Sequence, residues 1–296
     1  MYQLSDMSTI KSILARHGFR FSKSLGQNFL INPEVCPRMA AECGAGKGFG
    51  VLEIGPGIGV LTAELARVAE KVVSVELDQR LLPVLAETLS GFSNVKVVNG
   101  DILKEDLHRL LSEEFAGMEV VVCANLPYYI TSPVIMRLLE ERLPIRAITV
   151  MVQKEAANRL CALPGNRECG AVSVAVRYYA EPQILFEVDR SSFLPPPNVD
   201  SAVIRLDIRT EPAVKIISET NFFALVKAAF GRRRKTVLNS VTAGLLMGKE
   251  PVSRALERAQ ISANARAEQL TMEQLATFSN ELFRKDTGKE TDRGGL

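Results

Sequence analysis

Short apolar segments alternate with amphipathic segments over the first half of the chain. The apolar segments fall at positions 50–54, 71–76, 94–99, 120–124 and 147–152, and apolar residues recur at helical spacing between them. Such alternation is typical of strands that lie side by side in one sheet and are connected by helices. The sequence therefore predicts an α/β fold whose sheet is mostly parallel.

The predicted helices begin at residue 61 or extend over 81–89, 133–143 and 154–163. Further along, residues 172–179 and 202–206 are expected to form two late strands, and the prolines of 193–197 stiffen the loop between them.

Helical spacing dominates the sequence from about residue 211 onward. We therefore expect a catalytic domain over 1–208, a helical domain over 209–284 and a disordered polar tail over 285–296.

Composition excludes several classes of protein. The 296 residues are 47% apolar and 24% charged, which is enough for a large core and a second small domain. The N-terminal segment has no continuous apolar stretch, so we expect no secretion signal, no membrane span and a cytoplasmic location. Five scattered cysteines without a C-x-x-C pair, and two isolated histidines, predict neither a disulfide framework nor a metal site.

Basic residues are concentrated towards the C-terminus. From residue 206 onward, 15 Lys and Arg face 11 Asp and Glu. The centre of this excess consists of Lys227, Arg232, Arg233, Arg234 and Lys235. Such a run is usually a solvated helix face, and by itself it is weak evidence for nucleic-acid binding.

The sequence Asn125, Leu126, Pro127 and Tyr128 follows an apolar strand directly. A carboxamide oxygen and a backbone carbonyl there could accept both protons of an amino group, while an aromatic ring could stack on a base. This arrangement indicates methyl transfer to an amino nitrogen, which requires neither a metal nor a catalytic histidine.

A glycine turn, EIGPGIG, occupies residues 53–59 after the first predicted strand. The dinucleotide fingerprint G-x-G-x-x-G fails here, because Val60 stands at the third glycine position and Gly59 comes one residue early. Glu53 suits a cofactor that carries a cationic amino acid. A glycine turn used only for tight packing remains an alternative.

Two acidic residues lie at the carboxyl ends of predicted strands, where open α/β sheets bind ligands. Glu76 could accept both hydroxyls of a ribose, and Asp101 could accept a hydrogen bond from an adenine amino group. A single acid at such a position is commonly a helix cap. Two of them in register with the glycine turn favour a nucleoside-containing ligand.

Four motifs together resemble the ribosomal RNA adenine dimethyltransferase family. They are SLGQNFL at 24–30, EIGPGIG at 53–59, NLPY at 125–128 and FLPPPNVDS at 193–201. The resemblance extends over nearly the whole chain and is strongest to the bacterial branch that dimethylates two adjacent adenosines near the 3′ end of 16S ribosomal RNA. It implies a Rossmann-like class I methyltransferase sheet with a late antiparallel strand, and a small all-helical C-terminal domain.

The resemblance also implies the cofactor S-adenosylmethionine and a set of site residues. Those expected to bind the cofactor are Gln27, Asn28, Leu30, Gly55, Gly57, Glu76, Asp101 and Asn125. Those expected to hold the target adenine are Asn125, Leu126, Pro127, Tyr128 and Phe193. One departure is Asn198, which stands where the family often has lysine and removes one expected RNA phosphate contact.

The implied partner is 16S ribosomal RNA in the small (30S) subunit or its precursor, bound by a monomer. RNA phosphates would be contacted by Lys23, Lys227, Arg232, Arg233, Arg234 and Lys235. Three alternatives remain: a macrolide-resistance methyltransferase acting on large-subunit RNA, a DNA amino-methyltransferase, and a non-catalytic assembly factor. The DNA enzymes usually have proline where this chain has Leu126.

Overall fold

The computed structural model describes Leu4 and residues 6–19 and 28–284. The strands are β1 (Phe29–Leu30), β2 (Phe49–Ile54), β3 (Lys71–Glu76), β4 (Val95–Asn99), β5 (Glu119–Asn125), β6 (Ala147–Gln153), β7 (Ala180–Val188), β8 (Phe193–Leu194) and β9 (Ser201–Ile208). The α-helices are α1 (Met7–Arg16), α2 (Val35–Glu42), α3 (Val60–Val68), α4 (Leu82–Thr88), α5 (Leu107–Glu114), α6 (Thr131–Glu140), α7 (Lys154–Cys161), α8 (Ala171–Tyr179), α9 (Glu219–Phe230), α10 (Val237–Gly244), α11 (Lys249–Arg258) and α12 (Met272–Leu282). The predicted tail at 285–296 lies outside the described residues.

The main sheet of the described chain has seven strands in the order β4-β3-β2-β5-β6-β9-β7. The first five are parallel to one another, whereas β9 runs antiparallel to both β6 and β7. The expected mostly parallel sheet with a late antiparallel strand is therefore confirmed. Because β2 to β5 are parallel, their carboxyl ends lie along one edge of the sheet.

Apolar side chains fill both faces of the central strands. On one face, Val51, Val72 and Val121 pack with residues of α2 and α3 in a continuous core. A second cluster joins Ile10 and Ile13 of α1 to helices that follow the glycine turn and β3. Strands buried on both sides are continuous apolar runs, which is why the sequence pattern located them well.

The prediction of a strand at residues 172–179 is wrong. This segment is α8, and the strand beside β9 is β7, which begins only at Ala180. Val172, Val174 and Val176 alternate as in a strand, but α8 is buried on nearly all sides, and such a helix cannot be distinguished from a buried strand by periodicity. β7 escaped notice because it is an edge strand that contains Pro182, a position where proline is tolerated.

The described chain divides into two compact units. One contains the residues up to Cys161 together with Ala175–Pro212, and the other contains Ala162–Val174 together with residues 213–284. In the second unit, α9 packs on α10 and α12, and α11 packs on α10 and α12. Three of its helices, α9, α10 and α12, are capped by hydroxyl side chains, namely those of Ser218, Thr236 and Thr271. The helical C-terminal region expected from the sequence is confirmed.

Candidate methyltransferase site

One pocket lies at the carboxyl edge of the sheet. Its lining includes eleven of the predicted site residues: Asn28, Leu30, Gly55, Gly57, Glu76, Asp101, Asn125, Leu126, Pro127, Tyr128 and Phe193, with Phe29 and Glu53 beside them in the same motifs. Of the cofactor and adenine residues expected from the sequence, only Gln27 is not placed, because it lies outside the described residues. The structure thus brings together residues that are up to 165 positions apart in the chain.

The glycine turn forms one wall of this pocket. Gly55, Gly57 and Gly59 have φ values of +68°, +61° and +90°, which side-chain-bearing residues rarely adopt. A Cβ atom at Gly57 would also lie 3.2 Å from the ring of Phe29. The turn therefore requires glycine for its backbone conformation, and it leaves the backbone open to close approach by a ligand.

Glu76 is held rigidly at the end of β3. Its Oε1 accepts a hydrogen bond from the Asp78 backbone N–H at 2.8 Å, and its Oε2 accepts one from the Gly57 N–H at 3.3 Å. The residue is 6% exposed, and this burial raises the pKa of Glu76 above its usual value. An ionised carboxylate is an acceptor only, so its remaining lone pairs can receive hydroxyl donors from a ligand.

Asp101 follows β4 and has two roles. Its Oδ1 accepts a hydrogen bond from the Leu103 N–H at 3.0 Å, as a turn-capping residue does, and its Oδ2 lies 3.3 Å from the Lys104 Nζ. The side chain also lines the pocket. The cap and the ligand interpretation are therefore compatible, because one carboxylate has lone pairs for both.

The Asn125 to Tyr128 segment leaves the sheet in a fixed direction. Asn125 is the last residue of β5 and pairs with Met151, whose carbonyl accepts the Leu126 N–H at 3.3 Å. A 3₁₀ turn over Tyr128–Ile130 follows, closed by the Ile130 N–H donating to the Pro127 carbonyl at 3.1 Å. Asn125 and Tyr128 thereby line the same pocket.

Phe193 is brought to the pocket by a small sheet that the sequence did not predict. β8 pairs with β1 so that Phe193 lies opposite Leu30 and Leu194 lies opposite Phe29. Two strands of two residues each, about 160 positions apart, carry no periodic signal that a sequence pattern could detect. The pairing connects the N-terminal segment to the proline-rich loop at the pocket wall.

Sequence reasoning missed several apolar lining residues. Leu77, 49% exposed, and Ile102 each follow a strand-end acid directly, and Tyr129 at 55% exposure follows Tyr128. The sequence signal that could have identified them is that each directly follows a predicted binding residue. Leu77 and Ile102 give the pocket apolar surface beside Glu76 and Asp101, which suits a flat aromatic ring.

Glu53 is a buried acid at the end of β2, behind the glycine turn. It is 1% exposed, and its Oε2 accepts hydrogen bonds from the Thr62 and Ser74 hydroxyls, each at 2.6 Å. Burial outweighs these hydrogen bonds and raises the pKa of Glu53 from 4.5 to about 7.

This shift predicts a pH dependence of stability. Between pH 4.5 and 7 the folded chain keeps a proton on Glu53 that the unfolded chain has lost. The free energy of unfolding should therefore fall as pH rises through this window, by about 3 kcal/mol in total. Denaturant titrations at pH 5, 6, 7 and 8 would measure the pH dependence, and Glu53→Gln should lose the part of it that Glu53 contributes. An equal pH dependence in the wild type and Glu53→Gln would contradict the assignment, and exposed Glu113→Gln is the matched control.

The predicted RNA-binding residues that the structure describes lie in the second unit. Lys227 is exposed in the last turn of α9, and residues 232–235 are exposed in the turn between α9 and α10. The run is therefore not a helix face, contrary to the usual interpretation of such a sequence. One of its side chains is oriented locally, because the Arg233 Nη2 donates to the Arg167 carbonyl at 3.3 Å. Lys23 lies outside the described residues.

Neither histidine lies in the pocket. His17 contacts Glu87 at 2.6 Å, and the Nε2 of His108 lies 3.0 Å from the Glu141 carbonyl oxygen. Within residues 6–19 and 28–284, no group of three or more His, Cys, Asp or Glu side chains is arranged to hold a metal ion. No described helix is both long and apolar enough to cross a membrane.

The family profile for "Ribosomal RNA adenine dimethylase" matches residues 18–284. The chain belongs to this family. A member named ribosomal RNA small subunit methyltransferase A, from Geobacillus sp. (strain WCH70), is 50% identical over 276 residues, covering 92% of this chain and 95% of the relative. A protein of the same name from Alkaliphilus oremlandii (strain OhILAs) is 46% identical over 286 residues, covering 96% of this chain and 100% of the relative.

The solved structures of two methyltransferases share the fold of this chain. The 23S rRNA methyltransferase ErmE is 30% identical to this chain, with a TM-score of 0.66. The match covers 86% of this chain and 99% of the ErmE chain. A dimethyladenosine transferase from Plasmodium falciparum is 26% identical to this chain, with a TM-score of 0.70. The match covers 84% of this chain and 95% of the Plasmodium chain. The expected Rossmann-like methyltransferase fold is thereby confirmed.

The pocket fits the cofactor that this family uses. Glu53 and Glu76 are buried carboxylates, and neither forms an ion pair with a described Lys or Arg. S-adenosylmethionine carries a cationic amino group, a ribose diol and a flat adenine, which match the acids and the apolar surface of Leu77 and Ile102. Cofactor-binding roles for individual residues remain predictions.

Proposed function

We propose that this chain transfers methyl groups from S-adenosylmethionine to N6 of two adjacent adenosines near the 3′ end of 16S ribosomal RNA. The observation that carries the proposal is the single pocket that joins the strand-end acids to Asn125, Tyr128 and Phe193. The substrate is taken from relatives about 50% identical over nearly their full length, which are named small subunit methyltransferases.

The chain's own residues orient the adenine amine. An exocyclic adenine amine is a poor nucleophile, because its lone pair is delocalised into the ring. Hydrogen bonds from its two N–H groups to the Asn125 side-chain oxygen and the Leu126 carbonyl would favour a tetrahedral nitrogen and aim its lone pair. The cofactor, when bound, supplies an electrophilic methyl group on a sulfonium.

The base itself would be held between aromatic rings. Tyr128 and Phe193 both line the pocket, and enzymes that modify a base read it outside the stack, between aromatic or apolar side chains. The proton of the amine can leave after attack, because a sulfonium already provides a strong leaving group. A histidine base in the pocket is therefore not required.

The direct test is transfer of labelled methyl groups from S-adenosylmethionine into unmethylated small subunits, with large-subunit RNA in parallel. We expect N6,N6-dimethyladenosine in the small-subunit RNA, mapped by mass spectrometry. Label only in large-subunit RNA would favour an activity like that of ErmE. Absence of label despite intact cofactor binding would favour a non-catalytic role in subunit assembly.

RNA recognition is assigned in this proposal to the helical region at 209–284, and the catalytic role to 1–208. The exposed cations of residues 232–235 would contact RNA phosphates, which supply most of the affinity for nucleic acid. A ribosomal substrate would place the protein in the cytoplasm, and we expect it to act as a monomer.

Arg232→Lys tests whether these contacts depend on guanidinium geometry. Lysine keeps the charge but loses bidentate hydrogen bonding to phosphate. We expect roughly tenfold weaker binding to small subunits in a titration at fixed salt. Arg254→Lys, at an exposed position of α11, is the matched control and should bind as the wild type does. Unchanged affinity of Arg232→Lys would remove the bidentate interpretation and leave charge alone.

A further inference from the structure

Ser201, the first residue of β9, contacts the hydroxyl group of Tyr128. The Tyr128 hydroxyl and the Ser201 Oγ are 2.7 Å apart. Ser201 is 0% exposed, and its backbone pairs with Gln153 of β6 and Val188 of β7. The hydrogen bond therefore connects the tip of a pocket aromatic to a residue that the sheet fixes on both sides.

Asp200, the preceding residue, contacts the turn that leads to the second pocket aromatic residue, Phe193. Its Oδ1 accepts a hydrogen bond from the Arg190 N–H at 3.1 Å, and its carbonyl accepts one from the Lys154 N–H at 3.0 Å. Arg190 begins the 3₁₀ turn Arg190–Ser192, which leads directly into Phe193. The turn that precedes Phe193 is therefore hydrogen-bonded to Asp200, the residue beside Ser201.

From these contacts we propose that Asp200 and Ser201 are positioning residues that set the spacing between Tyr128 and Phe193, and so control the second of the two methyl transfers. This inference rests on the proposed function. Ser201 contacts Tyr128 and Asp200 contacts the turn before Phe193, so a change in either would alter the position of an aromatic residue that lines the pocket.

The second transfer depends on this spacing more than the first. In each transfer the N6 nitrogen forms a bond to the methyl carbon as the carbon–sulfur bond of the donor breaks, and one N6 proton is lost to water. Unmodified adenine has two N6 protons for the Asn125 and Leu126 acceptors. The monomethylated amine has only one, so its orientation relies more on the stacking rings.

The variants Ser201→Ala and Tyr128→Phe remove the same hydrogen bond from its two ends. Tyr128→Phe keeps the stacking ring and leaves β9 untouched, so it tests the proposal even where Ser201→Ala folds poorly. We expect each variant to slow the second transfer about tenfold and the first transfer much less. N6-monomethyladenosine should therefore accumulate in small-subunit RNA.

The double variant should be no slower than the slower single variant, because both substitutions delete one interaction. S-adenosylhomocysteine affinity, measured by calorimetry, should be unchanged in all three. Ser279→Ala, which removes a buried hydroxyl from α12, should give only dimethyladenosine as the wild type does. These controls separate an effect on the spacing between Tyr128 and Phe193 from a general loss of stability.

Three results would overturn the inference: an unchanged ratio of mono- to dimethyladenosine, an equal loss in both transfers, or losses that multiply in the double variant. The reaction of the wild-type protein distinguishes failure of the positioning role from failure of the proposed function. Wild-type protein that forms no dimethyladenosine on small subunits would refute the proposed function, whereas a normal wild type with normal variants would refute only the positioning role.

Discussion

Replacing Asn125 with alanine is expected to lower the rate of methyl transfer roughly 100- to 1,000-fold, as the loss of one oriented hydrogen-bonding group does in other active sites. Asn125 is the last residue of β5 and lines the pocket, and the other proposed acceptor is the Leu126 backbone carbonyl, which substitution cannot remove. Alanine would leave the amine with one acceptor, so its lone pair would be poorly aimed. Single-turnover methylation of small subunits measures the loss.

The matched control is Asn94→Ala. The Asn94 Nδ2 donates to the carbonyls of Ala66 and Ala69 at 2.9 and 3.1 Å, outside the pocket. Its loss should lower the unfolding temperature and leave the methylation rate unchanged. An Asn125→Ala protein that methylates at the wild-type rate would show that the amide does not orient the amine. A variant that is inactive but still supports subunit maturation would reveal a separate assembly role.

The parallel strands β2, β3, β5 and β6 could be predicted from sequence because each is buried on both faces and therefore appears as an apolar run. The strand-end residues Glu76, Asp101 and Asn125 followed from the same pattern, since the carboxyl ends of parallel strands meet at one edge. The pattern failed at α8 and β7. There a helix buried on nearly all sides resembled a strand, and an edge strand with proline and several polar residues resembled a loop.

Contacts between distant segments could not be predicted from the sequence. The Tyr128 hydroxyl meets Ser201 across 73 positions, and Glu53 meets Ser74 across 21. No local rule connects such residues, because their meeting depends on the completed sheet. The sequence predicts that Glu53 suits a cofactor with a cationic amino acid, but the shift of its pKa depends on burial, which only the packed structure shows.

Binding of the cofactor should depend most strongly on Glu76. Glutamine at this position keeps the shape but loses the charge, and its amide N–H₂ would face the backbone N–H of Gly57 or Asp78, which now donate to the carboxylate. We expect about 100-fold weaker binding of S-adenosylhomocysteine by calorimetry, from weakened charge-assisted hydrogen bonds to the ribose hydroxyls. The turnover rate at saturating cofactor should change much less.

Exposed Glu113→Gln, on α5, is the control and should bind the cofactor as the wild type does. The pH dependence of binding gives an independent check. Because burial raises the pKa of Glu76, the carboxylate is neutralised at a higher pH than an ordinary glutamate, and affinity should fall correspondingly early as the solution is acidified. Glu76→Gln should lose the part of this dependence that Glu76 contributes, since its amide does not titrate. Unaltered affinity in that variant would mean that the ribose hydroxyls are held by other residues of the pocket.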